Sequence, residues 1–172
     1  MSKQPILIAE DDADDRYLLQ SAFSEIGHPE QIDFVENGIE VFTYLDKIYT
    51  NNNMEMKALP GFILLDLNMP KKDGREVLKE LKQHPVFKKI PVIVFTTTKN
   101  EVEIKRCYEL GANSYVVKPI SFDALLKVVE NIRSFWFQTA SIPVSWCIFP
   151  FLLKNFFILC INFSGLSTMC EA

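Results

Sequence analysis

Five short apolar runs, separated by segments of helical period, restrict the fold of this chain more than any other feature. They are PILIA (residues 5–9), IDFV (32–35), FILL (62–65), PVIVF (91–95) and SYVV (114–117). All are strand-length, rich in β-branched residues, and too short for globular helices. Between them, Leu18, Leu19, Ala22, Phe23 and Ile26 repeat at helical spacing, as do Val41, Phe42, Leu45 and Ile48. Val77, Leu78 and Leu81 mark a third helix. A fourth is expected to start at Asn100, whose side chain caps it while Glu103 reaches back. The fifth carries Phe122, Leu125, Leu126, Val129 and Ile132 on one face, with Ser121 as its N-cap.

Strand-then-helix units in series predict a parallel sheet with helices on both faces. The strands read as near-continuous apolar runs because neither face meets water; an antiparallel sheet with one wet face would alternate. The expected fold is α/β, a flavodoxin-like doubly wound (βα)5 sheet with strand order 2-1-3-4-5. One connection, YTNNNMEMKALPG (residues 49–61), is a polar loop without helical period. It reads either as a functional loop or as a solvated insertion.

The 172 residues suffice for one substantial core without metals or disulfides. A net charge of −4 with both signs mixed, and no basic cluster, argues against nucleic-acid binding. The apolar run near the N-terminus is too short for a signal-peptide core, so a cytoplasmic protein is expected. Of the cysteines, Cys107 alone lies in the regular part of the sequence and reads as a buried, unreactive thiol.

The chemistry gathers where strands end. Glu10, Asp11 and Asp12 follow the first strand, Asp66 the third, Thr96 and Thr97 the fourth, and Lys118-Pro119 the fifth. In an open parallel sheet these ends form the binding crevice. Taken singly, each residue has an ordinary reading. The acidic triplet could start a helix, Asp66 a turn, Thr96 could end a strand, and Lys118 could be solvated. Together they supply clustered carboxylates for a hard divalent cation such as Mg2+. They also supply a nucleophilic carboxylate, Asp66, with a hydroxyl and an ammonium to bind phosphoryl oxygens.

The motifs ILIAEDD (6–12), LLDLNMPKKDG (64–74), PVIVFTTT (91–98) and GANSYVVKP (111–119) resemble the receiver domains of two-component response regulators, over about residues 4–137. The resemblance implies that Asp66 is the phosphoacceptor and that Asp11 binds Mg2+ directly, with Glu10 acting through water. It implies that the backbone carbonyl of Asn68 completes the metal site. Thr96 and Lys118 match the switch threonine and the phosphate-pairing lysine, and Tyr115 the aromatic switch position. A cis Lys118–Pro119 bond is implied as well. Finer texture, such as EDDADDRYLLQSAF and the FWF that ends the fifth helix, resembles single-domain regulators paired with phytochrome kinases.

The expected partner is therefore a sensor histidine kinase, phytochrome-type or hybrid. No helix-turn-helix or catalytic motif follows residue 137, so the signal is expected to leave by protein contact or to end in a phosphate sink. The protein is expected to be a phosphoacceptor, not an enzyme with an external substrate. Two rivals share parts of this pattern. A flavodoxin-type nucleotide binder needs a glycine- or hydroxyl-rich loop where EDDADD stands. A haloacid-dehalogenase-like phosphatase typically needs an Asp where Asn68 stands.

Phe135-Trp136-Phe137 is either a homodimer contact or intramolecular packing. The receiver domain is expected over residues 1–140, followed by an atypical apolar tail over 141–172. In that tail Pro150, Lys154, Asn155 and Asn162 interrupt every window long enough for a membrane span. A packed or dimer-forming extension and a non-native segment both remain open there.

Overall fold

A computed structural model describes residues 4–27, 31–50 and 59–141. Strands β1 (Ile6–Ala9), β2 (Ile32–Val35), β3 (Phe62–Leu65), β4 (Val92–Thr96) and β5 (Ser114–Val117) alternate with five helices. These are α1 (Ala13–Glu25), α2 (Gly38–Thr50), α3 (Gly74–Gln83), α4 (Glu101–Glu109) and α5 (Phe122–Arg133). The sheet is wholly parallel in the order β2-β1-β3-β4-β5, as the apolar runs imply.

Alternation within each strand divides the core in two. Leu7 and Ala9 of β1, Ile63 and Leu65 of β3, and Val92 and Val94 of β4 face one layer, packed with Val41, Leu45, Val77, Leu78 and Leu81. Ile6 and Ile8, Phe62 and Leu64, and Ile93 and Phe95 face the other, against Leu19, Phe23, Leu125 and Val129. Each fully buried side chain of this kind contributes about 1.5–3 kcal/mol by leaving water. The central strands β1, β3 and β4 are buried throughout, while the edge strands β2 and β5 are mostly half-buried.

Register sets up the functional edge. Ala9 stands opposite both Val35 and Leu65, so β1 and β3 end level. Pairing continues one residue further: Glu10 N–H donates to Val35 O (3.0 Å) and Asp66 N–H to Ala9 O (3.0 Å). Glu10 and Asp66 are thereby placed side by side on neighbouring strands.

Several local expectations need correction. Asn100 caps α4 by accepting from Val102 N–H (2.8 Å), but Glu103 does not close the capping box. It pairs instead with Arg75 and Arg106, because two guanidiniums outcompete one backbone N–H. No peptide bond among the described residues is cis, so Lys118–Pro119 is trans. The trans form is the intrinsically favoured isomer of such a bond, and Lys118 reaches the site from it. Leu18, placed on the apolar face of α1, is 39% exposed. Ser121 caps α5 as expected, accepting from Ala124 N–H.

Helix α5 runs on into a π-helical segment, Ser134–Thr139. Trp136 and Phe137 pack against Phe62 at ring separations of 6.3 and 5.5 Å. Intramolecular packing thus accounts for two members of the aromatic triplet, and Phe135 alone of the three stays exposed. Cys107 is buried, and burial raises its thiol pKa, in keeping with an unreactive role. Among the described residues no helix is long and apolar enough to cross a membrane. Residues 51–58 of the polar loop and the tail from residue 142 lie outside the described residues.

Candidate functional site: an acidic pocket around Asp66

Glu10, Asp11, Asp66 and Lys118 converge at the C-terminal edge of the sheet. One oxygen from each of Glu10, Asp11 and Asp66 lies within 4.8 Å of the other two. Glu10 is 1% exposed and Asp66 7%, whereas Asp11 stands at the solvent side. An all-oxygen donor set with one accessible member suits a hard divalent cation, which keeps part of its water shell.

Lys118 reaches in from the end of β5. Its Nζ donates to Glu10 Oε2 (2.6 Å), Asp15 Oδ2 (2.7 Å) and Asp66 Oδ2 (2.8 Å). An ammonium has three protons, and all three are committed here. Burial by itself would lower the pKa of Lys118, but its bonds to Asp15, Asp66 and Glu10 outweigh burial and hold it above its ordinary value. Burial also pushes the Glu10 carboxyl up to about 7, opposed by Lys118 and reinforced by the charges of Asp66 and Asp15. One cation among four carboxylates leaves the pocket short of positive charge.

Asp12 belongs to the helix and not to the cluster. Its side chain accepts from Asp14 N–H (2.8 Å) and Asp15 N–H (3.0 Å), capping α1. Of the acidic triplet, only this member follows the helix-start reading. Asn68 is exposed, and its backbone N–H donates to Asp66 Oδ1 (3.2 Å), so both carboxylate oxygens of Asp66 are oriented.

Thr96 is fully buried, and its hydroxyl makes no hydrogen bond within the described protein. A buried hydroxyl without a partner is costly, about 1–3 kcal/mol, so one poised at a binding edge is informative. Its backbone carbonyl accepts from Lys118 N–H (2.8 Å), tying the two strand ends together. Tyr115 is half-buried and donates its hydroxyl to the Thr98 carbonyl (3.0 Å).

Two residues of this neighbourhood were missed in the sequence. Asp15 is the third partner of Lys118, and Arg16 bonds the carbonyls of Glu10 (3.0 Å) and Asp11 (2.7 Å). Both lie on the first turn of α1. Their signal was position: a charged residue one turn into a helix that starts at the site can fold back over it.

The chain has recognisable relatives. The family model of the response regulator receiver domain matches residues 6–130. Response regulator Rcp1 of Synechocystis is 39% identical over 140 residues, 81% of this chain and 93% of Rcp1. Among solved structures, the phosphorylated cyanobacterial phytochrome response regulator RcpA superposes with a TM-score of 0.72 at 38% identity, covering 81% of this chain and 98% of that one. The Mn(2+)-bound form of Rcp1 gives 0.71 at 38% identity, covering 82% and 99%. The carboxylates after β1 stand where a nucleotide binder would cradle phosphate, and Asn68 stands where a haloacid-dehalogenase-like phosphatase would place its second Asp. With its fold, its motifs and its relatives in agreement, this chain belongs to the response regulator receiver domains.

Proposed function

We propose that Asp66 accepts a phosphoryl group from the phosphohistidine of a sensor histidine kinase, in a Mg2+-dependent reaction in the cytoplasm. The observation that supports this best is the seating of Asp66. Its carboxylate is buried at a strand end, oriented through both oxygens, hydrogen-bonded to an ammonium, and clustered with two further carboxylates. Glu10, Asp11, Asp66 and the backbone carbonyl of Asn68 would hold the ion, with Glu10 acting through water. Bound there, Mg2+ supplies the positive charge that the phosphoryl oxygens require.

Asp66 is the nucleophile. Its carboxylate oxygen bonds to phosphorus as the phosphorus–nitrogen bond of the phosphohistidine breaks, and the imidazole leaves with the electron pair. Lys118 stays beside the new acyl phosphate as a compact cation, and Thr96 offers its unpaired hydroxyl to a phosphoryl oxygen. Thr96 moving toward the phosphoryl group would draw Tyr115 from the Thr98 carbonyl and re-sort the neighbouring surface. On this reading the protein catalyses only its own phosphorylation and dephosphorylation, and its output leaves by protein contact. Its likeness to Rcp1 and RcpA favours a phytochrome-type kinase as the donor.

The deciding experiment compares the wild type with Asp66→Asn for labelling by a phospho-kinase or acetyl phosphate in the presence of Mg2+. The variant should take no label; undiminished labelling would overturn the assignment.

A further inference from the structure

The metal-binding pair needs something to hold it. Glu10 and Asp11 lie between the last ladder position of β1 and the first turn of α1, where the carbonyls leave strand pairing without yet joining the helix. Two consecutive carbonyls in this stretch are bonded by one side chain, and the next, that of Asp12, takes the ordinary first bond of helix α1 from the same residue's backbone. Arg16 Nη1 donates to Glu10 O (3.0 Å) and Asp11 O (2.7 Å), and Arg16 N–H donates to Asp12 O (3.0 Å). The other arm of the guanidinium pairs with Glu36 Oε1 (3.0 Å) in the β2–α2 connection. Glu36 is braced in turn, its N–H donating to Glu40 Oε2 (2.9 Å), while Asn37 donates to Glu40 Oε1 (2.7 Å). The Arg16 side chain is only 20% exposed.

We infer that Arg16 is a positioning residue for the metal site, gripping the acidic pair by its backbone so that the Glu10 and Asp11 carboxylates point into the pocket. The physical reason is backbone geometry. Rotating either peptide plane would swing the attached carboxylate away from Asp66, and a guanidinium bonded to both carbonyls opposes that rotation. A planar fork anchored at its far end by Glu36 can do this, whereas a flexible point charge cannot. Groups that orient metal ligands commonly affect affinity about 10–100-fold. The inference rests on the metal-dependent reading of the site proposed above.

Its test is Mn2+ binding to the unphosphorylated full chain, followed by the electron paramagnetic resonance signal of free Mn2+, beside thermal unfolding. Arg16→Gln should weaken Mn2+ binding by about tenfold or more. Arg16→Lys, which keeps the charge but loses the fork, should weaken it nearly as much. Glu36→Gln should weaken it by a smaller factor and add nothing in the Arg16→Gln background, because Glu36 acts only through Arg16. With Asp66 labelling as a second readout, Arg16→Gln should need more Mg2+ for half-maximal rate yet reach the wild-type maximum. If Arg16→Gln fails to fold, Arg16→Lys and Glu36→Gln decide the matter.

Mn2+ affinity within about twofold of wild type in the glutamine variant, whatever its stability, would overturn the inference. So would wild-type affinity in Arg16→Lys, which would show that charge alone suffices. A wild-type chain that binds no Mn2+ would sink the functional reading together with this one, whereas normal wild-type binding with unaffected variants would sink this one alone.

Discussion

A Cβ placed on Gly74 would lie 2.1 Å from the carbonyl oxygen of Asp66. Helix α3 therefore begins pressed against the backbone of Asp66, and Gly74 N–H donates to Leu67 O (2.9 Å) in the same contact. No side chain fits there, and the obstacle is backbone, which cannot swing aside. Gly74→Ala should destabilise the fold by about 1–3 kcal/mol or more, as overpacking does, and should also slow Asp66 labelling. Urea unfolding beside labelling rates would show both, and a variant as stable as wild type would contradict the close contact.

Thr96 gives the opposite sign. Its hydroxyl is buried without a hydrogen bond among the described residues, so Thr96→Val removes a desolvated polar group while conserving shape. The variant should be more stable than wild type by about 1 kcal/mol while its response to phosphorylation is lost. Thermal unfolding, together with spectra recorded with and without acetyl phosphate, would separate the two effects.

Lys118 is the ammonium that Glu10, Asp15 and Asp66 share. Lys118→Met would leave two buried carboxylates without a cation, and removing one partner of a buried pair costs about 3–5 kcal/mol. Part of that loss should be recovered by protonation of Glu10 and most of it by a divalent ion. The measurement is the unfolding midpoint with and without Mg2+, where the gain from Mg2+ should be larger in the variant than in the wild type.

The raised pKa of Glu10, about 7 against an ordinary 4.5, gives the site a pH dependence of defined sign. Between these values the folded protein keeps a proton that the unfolded chain has lost. This contribution to stability is present below the lower value and disappears as pH rises through the upper one. A metal ion competes with that proton, so its affinity should rise with pH by up to about tenfold per unit below 7 and then level off. Titrations from pH 5.5 to 8.5 would detect this, and a flat profile would count against it.

Lys71 is the one non-glycine residue among those described with positive φ, at 64°, in the loop between β3 and α3. Its neighbour Lys72 donates its N–H to Pro70 O (2.7 Å), closing a tight three-residue turn. A side chain in that region is strained by about 1–2 kcal/mol. Lys71→Gly relieves this but makes the unfolded chain freer, so a net gain of about 0.5–1 kcal/mol is expected in chemical denaturation.

How much of this was legible beforehand follows from what each feature depends on. The strands FILL and PVIVF announced themselves because burial on both faces demands unbroken apolar residues, and Asn100 and Ser121 because caps are local. Glu103 misled because its real partner, Arg75, belongs to another helix, and spacing along one helix cannot report a neighbour's charge. The roles of Asp15 and Arg16 are not legible in the sequence because their bonds go to groups that only the folded chain brings near. The aromatic triplet was divided the same way: whether Trp136 and Phe137 meet Phe62 or a second copy depends on where α5 lies across the sheet.

By itself the sequence determined the element order, the parallel doubly wound sheet and the strand ends that bear Glu10, Asp11, Asp66, Thr96 and Lys118. Periodicity and burial are properties that each segment carries within itself. Tertiary structure alone decided that one ammonium serves three carboxylates, that Thr96 keeps an unpaired hydroxyl, and that Arg16 grips the acidic pair from behind. Those are relations between atoms far apart in the chain, and they exist only once the register of β1 against β2 and β3 has set the distances.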